Sequence, residues 1–347
     1  MKTKVLNTIE KFNLIKKGEG IVLGVSGGPD SISMLNILNE IKDEMEFKIY
    51  VAHINHMIRE EADDDEKYVQ NYCQKNNIEF FAKRIDVVQF ANNKKIGTEE
   101  AGRNIRYEFF DEVMNKVGAN KIAIAHNKND KIETIIMNLL RGSGISGLKG
   151  IEPIRDNKYI RPLIECERQE IEQYCEEQKL EPRIDKTNFE NDYTRNKIRN
   201  IVIPYIKQEY NPNIIQTLDR LSEVANEESN YIELQAKEIY EKLLIEKKSE
   251  QIILRLKEFN KQEKVIQNRI ILLATKQLMG STQRIEKIHI EDIIKLCRNN
   301  VGNKYLTPNK NIKILIKDKK IFFIKQNYWK NKIGVLYFQI YKRNRRI

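Results

Sequence analysis

Short apolar runs alternate with longer segments of mixed polar and apolar residues in the first half of the chain. The apolar runs lie at 21–25, 48–52, 80–85 and 121–125, and the helix-length segments lie at 63–76, 98–117 and 130–140. This alternation is typical of βαβ units, which build a doubly wound, mostly parallel sheet with helices on both faces. The sequence therefore predicts a Rossmann-like α/β fold, whose ligands bind at the carboxyl ends of the strands.

The pattern changes after Pro204 and Pro212. Helical patterns occupy 213–247, 261–278 and 289–298, and short apolar runs typical of strands occupy 251–256, 312–316 and 321–325. A chain of 347 residues also exceeds what one hydrophobic core usually serves. We predict three parts: an α/β domain at 1–212, a mainly helical domain at 213–300, and a small basic α+β region at 301–347.

The bulk composition indicates a soluble, cytoplasmic protein without a membrane partner. No apolar stretch approaches the roughly 20 residues that cross a bilayer, and the first residues lead into no signal-peptide core. The four cysteines are far apart and form no Cys-x-x-Cys pair. This spacing argues against a disulfide framework, a zinc knuckle and an iron–sulfur site, so we expect unpaired thiols. The oligomeric state is left open between a monomer and a homodimer.

The positive charge of the chain is concentrated at its C-terminal end. The formal net charge is +11, and the part from Lys310 to Ile347 alone contains twelve Lys or Arg and one acid. Aromatic residues are interleaved with these cations, which suits a phosphate backbone and unpaired bases. The alternative is a compositional bias, because the whole chain is rich in Ile, Lys and Asn. We expect this region to contact nucleic acid.

A glycine-containing loop follows the first apolar run, and a helical pattern follows the loop. Its sequence is Ser26, Gly27, Gly28, Pro29, Asp30 and Ser31. Adjacent glycines allow a tight turn with exposed backbone N–H groups, and the positive end of the next helix favours an anion. No Lys-Ser or Lys-Thr pair follows, so the loop is not a Walker A motif. A plain surface turn is the alternative, but the full string in this setting favours a phosphate site.

Polar residues also follow the second and fourth predicted strands. His53 and His56 follow the second, and they are expected to contact a nucleotide or to order the loop rather than to bind a metal. Arg103 and Arg106 share one helical face, where they either neutralise a polyphosphate or pair with nearby acids. Asp130 and Glu133 begin the helix after the fourth strand, either as capping residues or as carboxylates that hold Mg²⁺.

Together these segments resemble the PP-loop superfamily of N-type ATP pyrophosphatases, and within it the tRNA(Ile)-lysidine synthetase family. The resemblance rests on the loop and on later strings, namely His53 to Arg59, Glu100 to Tyr107, Ala125 to Thr134, Leu139 to Ile151, Arg161 to Ile164 and Asp185 to Arg199. It covers residues 18 to 212 and is less sharp in the C-terminal part. Asn127 and Asn129 depart from the pattern, where a histidine and an aspartate are usual.

The resemblance implies ATP-dependent ligation of free L-lysine to the wobble cytidine of the CAU anticodon of tRNA(Ile). The cytidine 2-oxygen attacks the α-phosphate, pyrophosphate leaves, and the lysine ε-amine displaces AMP to give lysidine. ATP is then a substrate and Mg²⁺ a cofactor. The alternatives are a PP-loop enzyme that 2-thiolates tRNA, for which cysteines near the loop are missing, and a noncatalytic ATP- or RNA-binding module.

The resemblance also implies roles for individual residues. The expected ATP-binding residues are Ser26, Gly27, Gly28, Pro29, Asp30, Ser31 and His53. The expected catalytic residues are Asp30, Arg106, Asp130 and Glu133, of which Asp130 and Glu133 are candidates for metal, lysine ammonium or both. Asp30 and Asp130 are the expected metal ligands, and Arg195 and Arg199 are the expected contacts to tRNA. Asn129 lacks the carboxylate of a metal ligand.

Overall fold

The computed structural model of the chain describes residues 1–57, 62–183, 194–281, 285–299 and 304–326. Residue contacts divide the chain into two compact units, Met1–Asn226 and Glu227–Ile347. Arg59 and residues 184–193 of the sequence motifs, and residues 327–347 of the basic region, lie outside the described residues. Among the helices described, none has the length and apolar character needed to cross a bilayer.

A six-stranded sheet organises the first unit. Its strands are β1 (Gly20–Gly24), β2 (Lys48–Asn55), β3 (Glu79–Arg84), β4 (Lys121–Ile124), β5 (Ile154–Arg155) and β6 (Tyr159–Ile160). They are ordered β3-β2-β1-β4-β6-β5, and all neighbours are parallel except the β5–β6 pair. The prediction of a doubly wound, mostly parallel α/β fold is confirmed. The carboxyl ends of β1, β2 and β4 therefore lie side by side at one edge.

Helices connect these strands and cover the sheet. They are α1 (Lys2–Lys11), α2 (Pro29–Ile41), α3 (Ala62–Lys75), α4 (Val87–Lys94), α5 (Thr98–Val117), α6 (Lys128–Leu140), α7 (Ile145–Leu148), α8 (Arg168–Glu177), α9 (Thr194–Lys197), α10 (Ile203–Glu209) and α11 (Ile214–Leu243). A π-helical turn, Ile198–Val202, joins α9 to α10. Helix α5 has the predicted bounds, because Gly118 in the left-handed region (φ 65°) ends it.

The sheet is buried on both faces, as its continuous apolar strands require. On β1, Ile21 and Leu23 pack in one apolar cluster with residues of α1, α2 and α3. Val22 points the other way and packs in a second cluster with residues of α4 and α5. All three β1 side chains are fully buried. The apolar clusters on the two faces of the sheet hold the carboxyl end of β1 in place, and the glycine loop begins there.

The second unit contains an antiparallel five-stranded sheet packed against helices. Its strands are β7 (Leu244–Lys247), β8 (Gln251–Arg255), β9 (Tyr305–Asn309), β10 (Ile312–Lys317) and β11 (Lys320–Lys325), in the order β7-β8-β11-β10-β9. Its helices after α11 are α12 (Leu256–Asn260), α13 (Lys264–Met279) and α14 (Lys287–Asn299). Phe259, Ile271 and Phe323 are among the fully buried residues of its core.

The predicted segments 213–300 and 301–347 contribute to the same sheet. Strand β8 of the former pairs with β11 of the latter from Gln251 to Arg255. A two-stranded hairpin has little stability alone, so the hairpin of β10 and β11 needs β8 and the helices beneath it. The boundary between the two compact units lies inside α11, after Asn226. The start of α11 at Ile214 corresponds to the change of pattern that follows Pro212.

Candidate active site

A cavity of about 390 Å³ opens at the carboxyl edge of the parallel sheet, where β1, β2 and β4 end. It is lined by residues of the glycine loop, of the ends of these strands and of helices α3 and α5, including Ser26, Gly28, Asp30, Ser31, His53, Asn55, His56, Asp65, Arg106, Phe110 and His126. Five segments separated along the sequence thus meet at one site. This is the place where parallel α/β sheets bind ligands.

The hydroxyl of Ser31 holds the glycine loop in its turn. Ser31 Oγ accepts hydrogen bonds from the backbone N–H groups of Ser26 and Gly27, both at 3.2 Å, and donates to the carbonyl of Gly28 at 3.0 Å. Gly27 has φ +95°, a value that L-residues with side chains rarely adopt. These hydrogen bonds and the positive φ of Gly27 together give the loop its curved shape. Ser31 itself is 4% exposed.

Helix α2 begins directly after this turn, with Pro29 in its first turn. Proline is suited to that position because its missing N–H would have no partner in the helix. The backbone N–H groups of Asp30 and Ser31 belong to the first turn, where amides have no acceptor within the helix. The positive N-terminal end of α2 lies beside the cavity, since Asp30 and Ser31 both line it. An anion bound there would be stabilised by these amides.

Asp30 lies close to a second carboxylate, that of Asp130. Burial, with the negative charge of Asp130 as the next cause, raises the pKa of Asp30 to about 6, against the hydrogen bond from Asn127. The Asn127 side-chain amide donates to Asp30 Oδ1 at 2.8 Å. Asp130 Oδ2 accepts from the Asn127 backbone N–H, and Asn127 Oδ1 accepts from the Asp130 N–H, which forms a capping box on α6. Two carboxylates packed this closely favour a cation between or beside them.

Glu133 is the centre of a buried ionic cluster next to these carboxylates. Its side chain is 1% exposed and accepts from Arg199 Nε at 2.6 Å and from Arg195 Nε at 2.9 Å. Arg199 also contacts Asp130 Oδ1 at 3.1 Å. Arg199 lies in the π-helical turn, a departure from α-helix that is frequent at functional sites. The fold therefore joins the two predicted tRNA-contacting arginines to the two predicted catalytic acids.

Two of the three histidines that line the cavity, His53 and His126, have different hydrogen-bond partners. His53 Nδ1 lies 2.8 Å from the Val25 carbonyl, which only accepts, so this nitrogen carries the proton. His126 Nδ1 lies 3.1 Å from Arg161 Nε, which only donates, so this nitrogen is unprotonated. Burial lowers the pKa of both rings, that of His126 well below its usual value, with Arg161 and Arg195 adding to the effect. Both rings are neutral near pH 7.

Arg106 places a cation at the cavity from helix α5. Its side chain is exposed to solvent within the cavity, and its Nε donates to the Gly102 carbonyl at 3.3 Å. A guanidinium in this setting gains from an anionic ligand. Arg106 and the loop thus both present positive charge to the cavity.

The predicted site residues fall into two adjoining groups. Ser26, Gly28, Asp30, Ser31, His53 and Arg106 line the cavity, with Gly27 and Pro29 in the same loop. Asp130, Glu133, Arg195 and Arg199 form the ionic cluster, which reaches Asp30 through Asn127. Sequence reasoning assigned no role to Asp65 or Phe110, and it named Arg161 only as the start of one string of the family resemblance. Arg161 follows β6 directly, a strand-end signal, whereas Asp65 lies in an acidic helix that offers none.

Asn129, the second departure from the family pattern, has a structural partner. Its Oδ1 accepts from the backbone N–H of Arg168, the first residue of α8, at 3.0 Å. The amide oxygen thus satisfies an N–H that has no acceptor within that helix. The acceptor role suits asparagine as well as aspartate, and it ties α6 to α8.

Comparisons with known proteins agree with this geometry. The family of PP-loop domains matches residues 1–206. A tRNA(Ile)-lysidine synthase of Clostridioides difficile is 43% identical over 335 residues, which cover 96% of this chain and 72% of that protein. The chain belongs to the tRNA(Ile)-lysidine synthase family of PP-loop proteins. A synthase of Clostridium acetobutylicum is 49% identical over 306 residues, 88% of this chain and 66% of the relative.

The chain spans about two thirds of the length of the lysidine synthases it matches, 66% for the relatives from C. acetobutylicum and Clostridium tetani. A solved structure of similar fold is a U34-tRNA thiolase from Methanococcus maripaludis with its 4Fe–4S cluster. It has a TM-score of 0.53 and 21% identity, and the match covers 64% of this chain and 77% of that chain. At that identity, the likeness supports the PP-loop fold alone.

Proposed function

We propose that this member of the lysidine synthase family ligates free L-lysine to the wobble cytidine of tRNA(Ile) with a CAU anticodon, at the expense of ATP. The observation that carries the proposal is the cavity itself, which brings the PP-loop, Arg106 and Asp30 together at the carboxyl edge of the sheet. The names of relatives that are 42 to 49% identical over most of the chain support the choice of reaction.

The first step is attack of the cytidine 2-oxygen on the α-phosphate of ATP, with departure of pyrophosphate. The amides at the N-terminus of α2 would hold the phosphates, and Arg106 would neutralise the charge that develops on the leaving group. The target base must leave its anticodon stack, which costs a few kcal/mol, and less for an unpaired base.

The second step is displacement of AMP by the ε-amine of lysine. The amine must lose a proton, and a lysine ammonium would be attracted to the acidic side of the site, formed by Asp30 and Asp130. Glu133 is already bonded to two arginines. We therefore assign Glu133 to positioning Arg195 and Arg199, and Asp130 to contact with substrate or metal. The two arginines would then face the anticodon from the ionic cluster.

The residues present fit Mg²⁺. Asp30 and Asp130 are hard oxygen donors near one another, and burial together with the charge of Asp130 disfavours the ionised form of Asp30, which a cation would favour. Mg²⁺ bound there would supply charge stabilisation to the departing pyrophosphate. Each carboxylate has lone pairs beyond its hydrogen bonds to Asn127 and Arg199. Within the described residues there is no cluster of three or more acidic, histidine or cysteine ligands, so substrate phosphates would complete the coordination.

A tRNA 2-thiolation reaction is less well supported. The residues described as lining the cavity include no cysteine. All four cysteines are buried, and burial raises the pKa of Cys73, Cys166 and Cys297 to about 12, away from a reactive thiolate. Cys175 lies behind the loop, 3.8 Å from the Pro29 carbonyl, and its thiol pairs with Ser33 at 3.1 Å.

The proposal is tested by incubating the full chain with ATP, labelled lysine and a tRNA(Ile) transcript bearing CAU. Mass spectrometry of the tRNA should show lysine attached at the wobble cytidine, with one AMP and one pyrophosphate per lysine. Asp30→Asn should abolish the product while leaving tRNA binding largely intact, whereas Asp43→Asn, on the exposed surface after α2, should not. Lysine-independent turnover, or full activity of Asp30→Asn, would overturn it.

A further inference from the structure

His53, one of the expected ATP-binding residues, has a buried acceptor atom to which the reaction as described gives no partner. His53 is 2% exposed, and its Nε2 has no hydrogen-bond partner among the described residues. The other ring nitrogen, Nδ1, donates to the Val25 carbonyl at 2.8 Å. Since a neutral imidazole carries one proton, Nε2 is an acceptor with a free lone pair. Leaving such an atom buried without a donor costs free energy, so a partner is expected when the site is filled.

The surroundings of His53 favour this protonation state over an imidazolium. Its ring packs at the carboxyl end of β2 with Phe80 at 6.3 Å between centroids. Burial lowers its pKa, although the Val25 carbonyl and the carboxylates of Glu66 and Asp65 act in the opposite direction. The neutral ring with its proton on Nδ1 is therefore the form that lines the cavity.

We infer that His53 Nε2 accepts a hydrogen bond from a donor group of the bound nucleotide, a ribose hydroxyl or the 6-amino group of adenine. This inference rests on the proposed use of ATP and deepens it, because it assigns His53 to selection of the nucleotide. Phosphate oxygens only accept and are excluded as partners. Two tasks are thus divided within the cavity. The loop and Arg106 bind the anionic oxygens of the phosphates, and His53 accepts a hydrogen bond from an uncharged donor of the nucleoside.

Two substitutions at position 53 isolate the two ring nitrogens. Asparagine in His53→Asn can keep the donor at the Nδ1 position, and so the bond to Val25, but it removes the acceptor. Glutamine in His53→Gln reaches the Nε2 position with its carbonyl oxygen and loses the Nδ1 donor. Thermal unfolding of both variants checks that the sheet edge is intact. A loss of binding through altered shape would affect both variants, whereas loss of the acceptor affects His53→Asn alone.

The nucleotides to compare are ATP, 2′-deoxyATP, 3′-deoxyATP and inosine triphosphate, titrated into the full chain by calorimetry with Mg²⁺ present. The wild type should bind one of the three analogues about tenfold more weakly than ATP, the loss of one good hydrogen bond. His53→Asn should bind ATP as weakly as the wild type binds that analogue, and should no longer distinguish the two. The analogue affected identifies the donor, either sugar hydroxyl or base amino group.

The inference is overturned if the wild type binds all four nucleotides alike, if His53→Asn keeps the wild-type preferences, or if it weakens all four equally. In each case lysidine formation with ATP would still support the proposed function, since that assay does not depend on discrimination. If the wild type does not bind ATP at all, both the inference about His53 and the proposed function are wrong.

Discussion

The side-chain amide of Asn127 donates to Asp30 Oδ1 at 2.8 Å and so links the N-terminus of α6 to the loop after β1. The same side chain caps α6, because its Oδ1 accepts from the Asp130 N–H at 3.0 Å. Asparagine can perform both tasks since it is a donor and an acceptor at once. One side chain therefore both caps α6 and ties that helix to the phosphate loop.

Asn127→Asp should show which of these two tasks matters more. Aspartate is as good an N-cap as asparagine, but it would add a negative charge beside Asp30 and Asp130 and remove the donor to Asp30. We expect a loss of about 1–2 kcal/mol in the free energy of unfolding near pH 8, which shrinks near pH 5 as the pair takes up a proton. Asn127→Ala should lose about 1 kcal/mol for the missing cap. Denaturant unfolding measures both, and wild-type stability of Asn127→Asp near pH 8 would contradict the account.

Asp30→Asn should make the metal-free protein more stable and inactive. The folded pKa of Asp30, about 6, exceeds its ordinary value of 3.8, so folding favours the protonated form. The associated stability is fully present below the ordinary pKa and is lost as the pH rises through about 6. Removing the charge should therefore gain about 2 kcal/mol near pH 8, about half of that near pH 5, and nothing below the ordinary pKa.

Chelated buffer is required for this comparison, since Mg²⁺ would neutralise Asp30. Added Mg²⁺ should raise the melting temperature of the wild type and leave that of Asp30→Asn nearly unchanged. If Asp30→Asn is instead less stable than the wild type near pH 8, the attraction of the carboxylate to nearby cations and donors outweighs the free-energy cost of burying its charge.

The fold of the first unit could be predicted because its signals are local. The bounds of α5 follow from residues inside the helix and from Gly118 after it, and β1 is an uninterrupted apolar run. The phosphate loop is recognisable in the same way. The two-residue strand β6 was not predicted, because it is too short for a period and exists through pairing with β4. Local pattern is the only signal available before the chain has folded.

The candidate site could be predicted in its parts but not in its pairings. The tie between Arg199 and Glu133 spans 66 positions in sequence, and nothing near either residue indicates it. The family resemblance implies a separate role for each residue, tRNA contact for Arg199 and catalysis for Glu133. It does not indicate that the two side chains form an ion pair. Similarly, the protonated nitrogen of each histidine depends on a carbonyl or an arginine supplied by another element.

Arg199→Met should destabilise the first unit. Glu133 would keep Arg195 but lose its shortest partner, and a buried carboxylate with incomplete pairing costs about 2 kcal/mol or more. The double variant Glu133→Gln with Arg199→Met should recover at least half of the loss, because the unpaired charge is gone. Arg220→Gln, on the exposed side of α11, is the matched control and should have no effect. Additive losses in the double variant would argue against a coupled pair.

Arg161→Met should change His126 without touching substrate. Arg161 is 4% exposed and donates to His126 Nδ1, so it fixes the proton of that ring on Nε2. Without it, the His126 pKa should rise but stay below its usual value, since burial is the larger cause. Nitrogen NMR should then detect both tautomers, and kcat should fall more than the KM for ATP rises.

The control for Arg161→Met is Arg155→Met. Arg155 is a neighbouring cation that stacks on Tyr107 and Tyr159, with no hydrogen bond to His126 given by the structure. If the two substitutions change the His126 spectrum equally, Arg161 acts on the ring only as a nearby positive charge and not through its hydrogen bond.

The basic hairpin of the second unit offers a test of nucleic-acid contact that leaves the core intact. Deleting residues from 310 onward would remove β10 and β11, whose Ile314 and Phe323 are fully buried, and would confound binding with unfolding. Lys317 and Lys319 are exposed beside the turn between these strands. Changing both to Gln should weaken tRNA(Ile) binding and lower the slope of log K against log salt by up to about 2, one for each phosphate that is no longer neutralised. Asp318→Asn removes a negative charge from the same turn and should strengthen binding. An unchanged slope in the double lysine variant would show that the tRNA contact lies elsewhere.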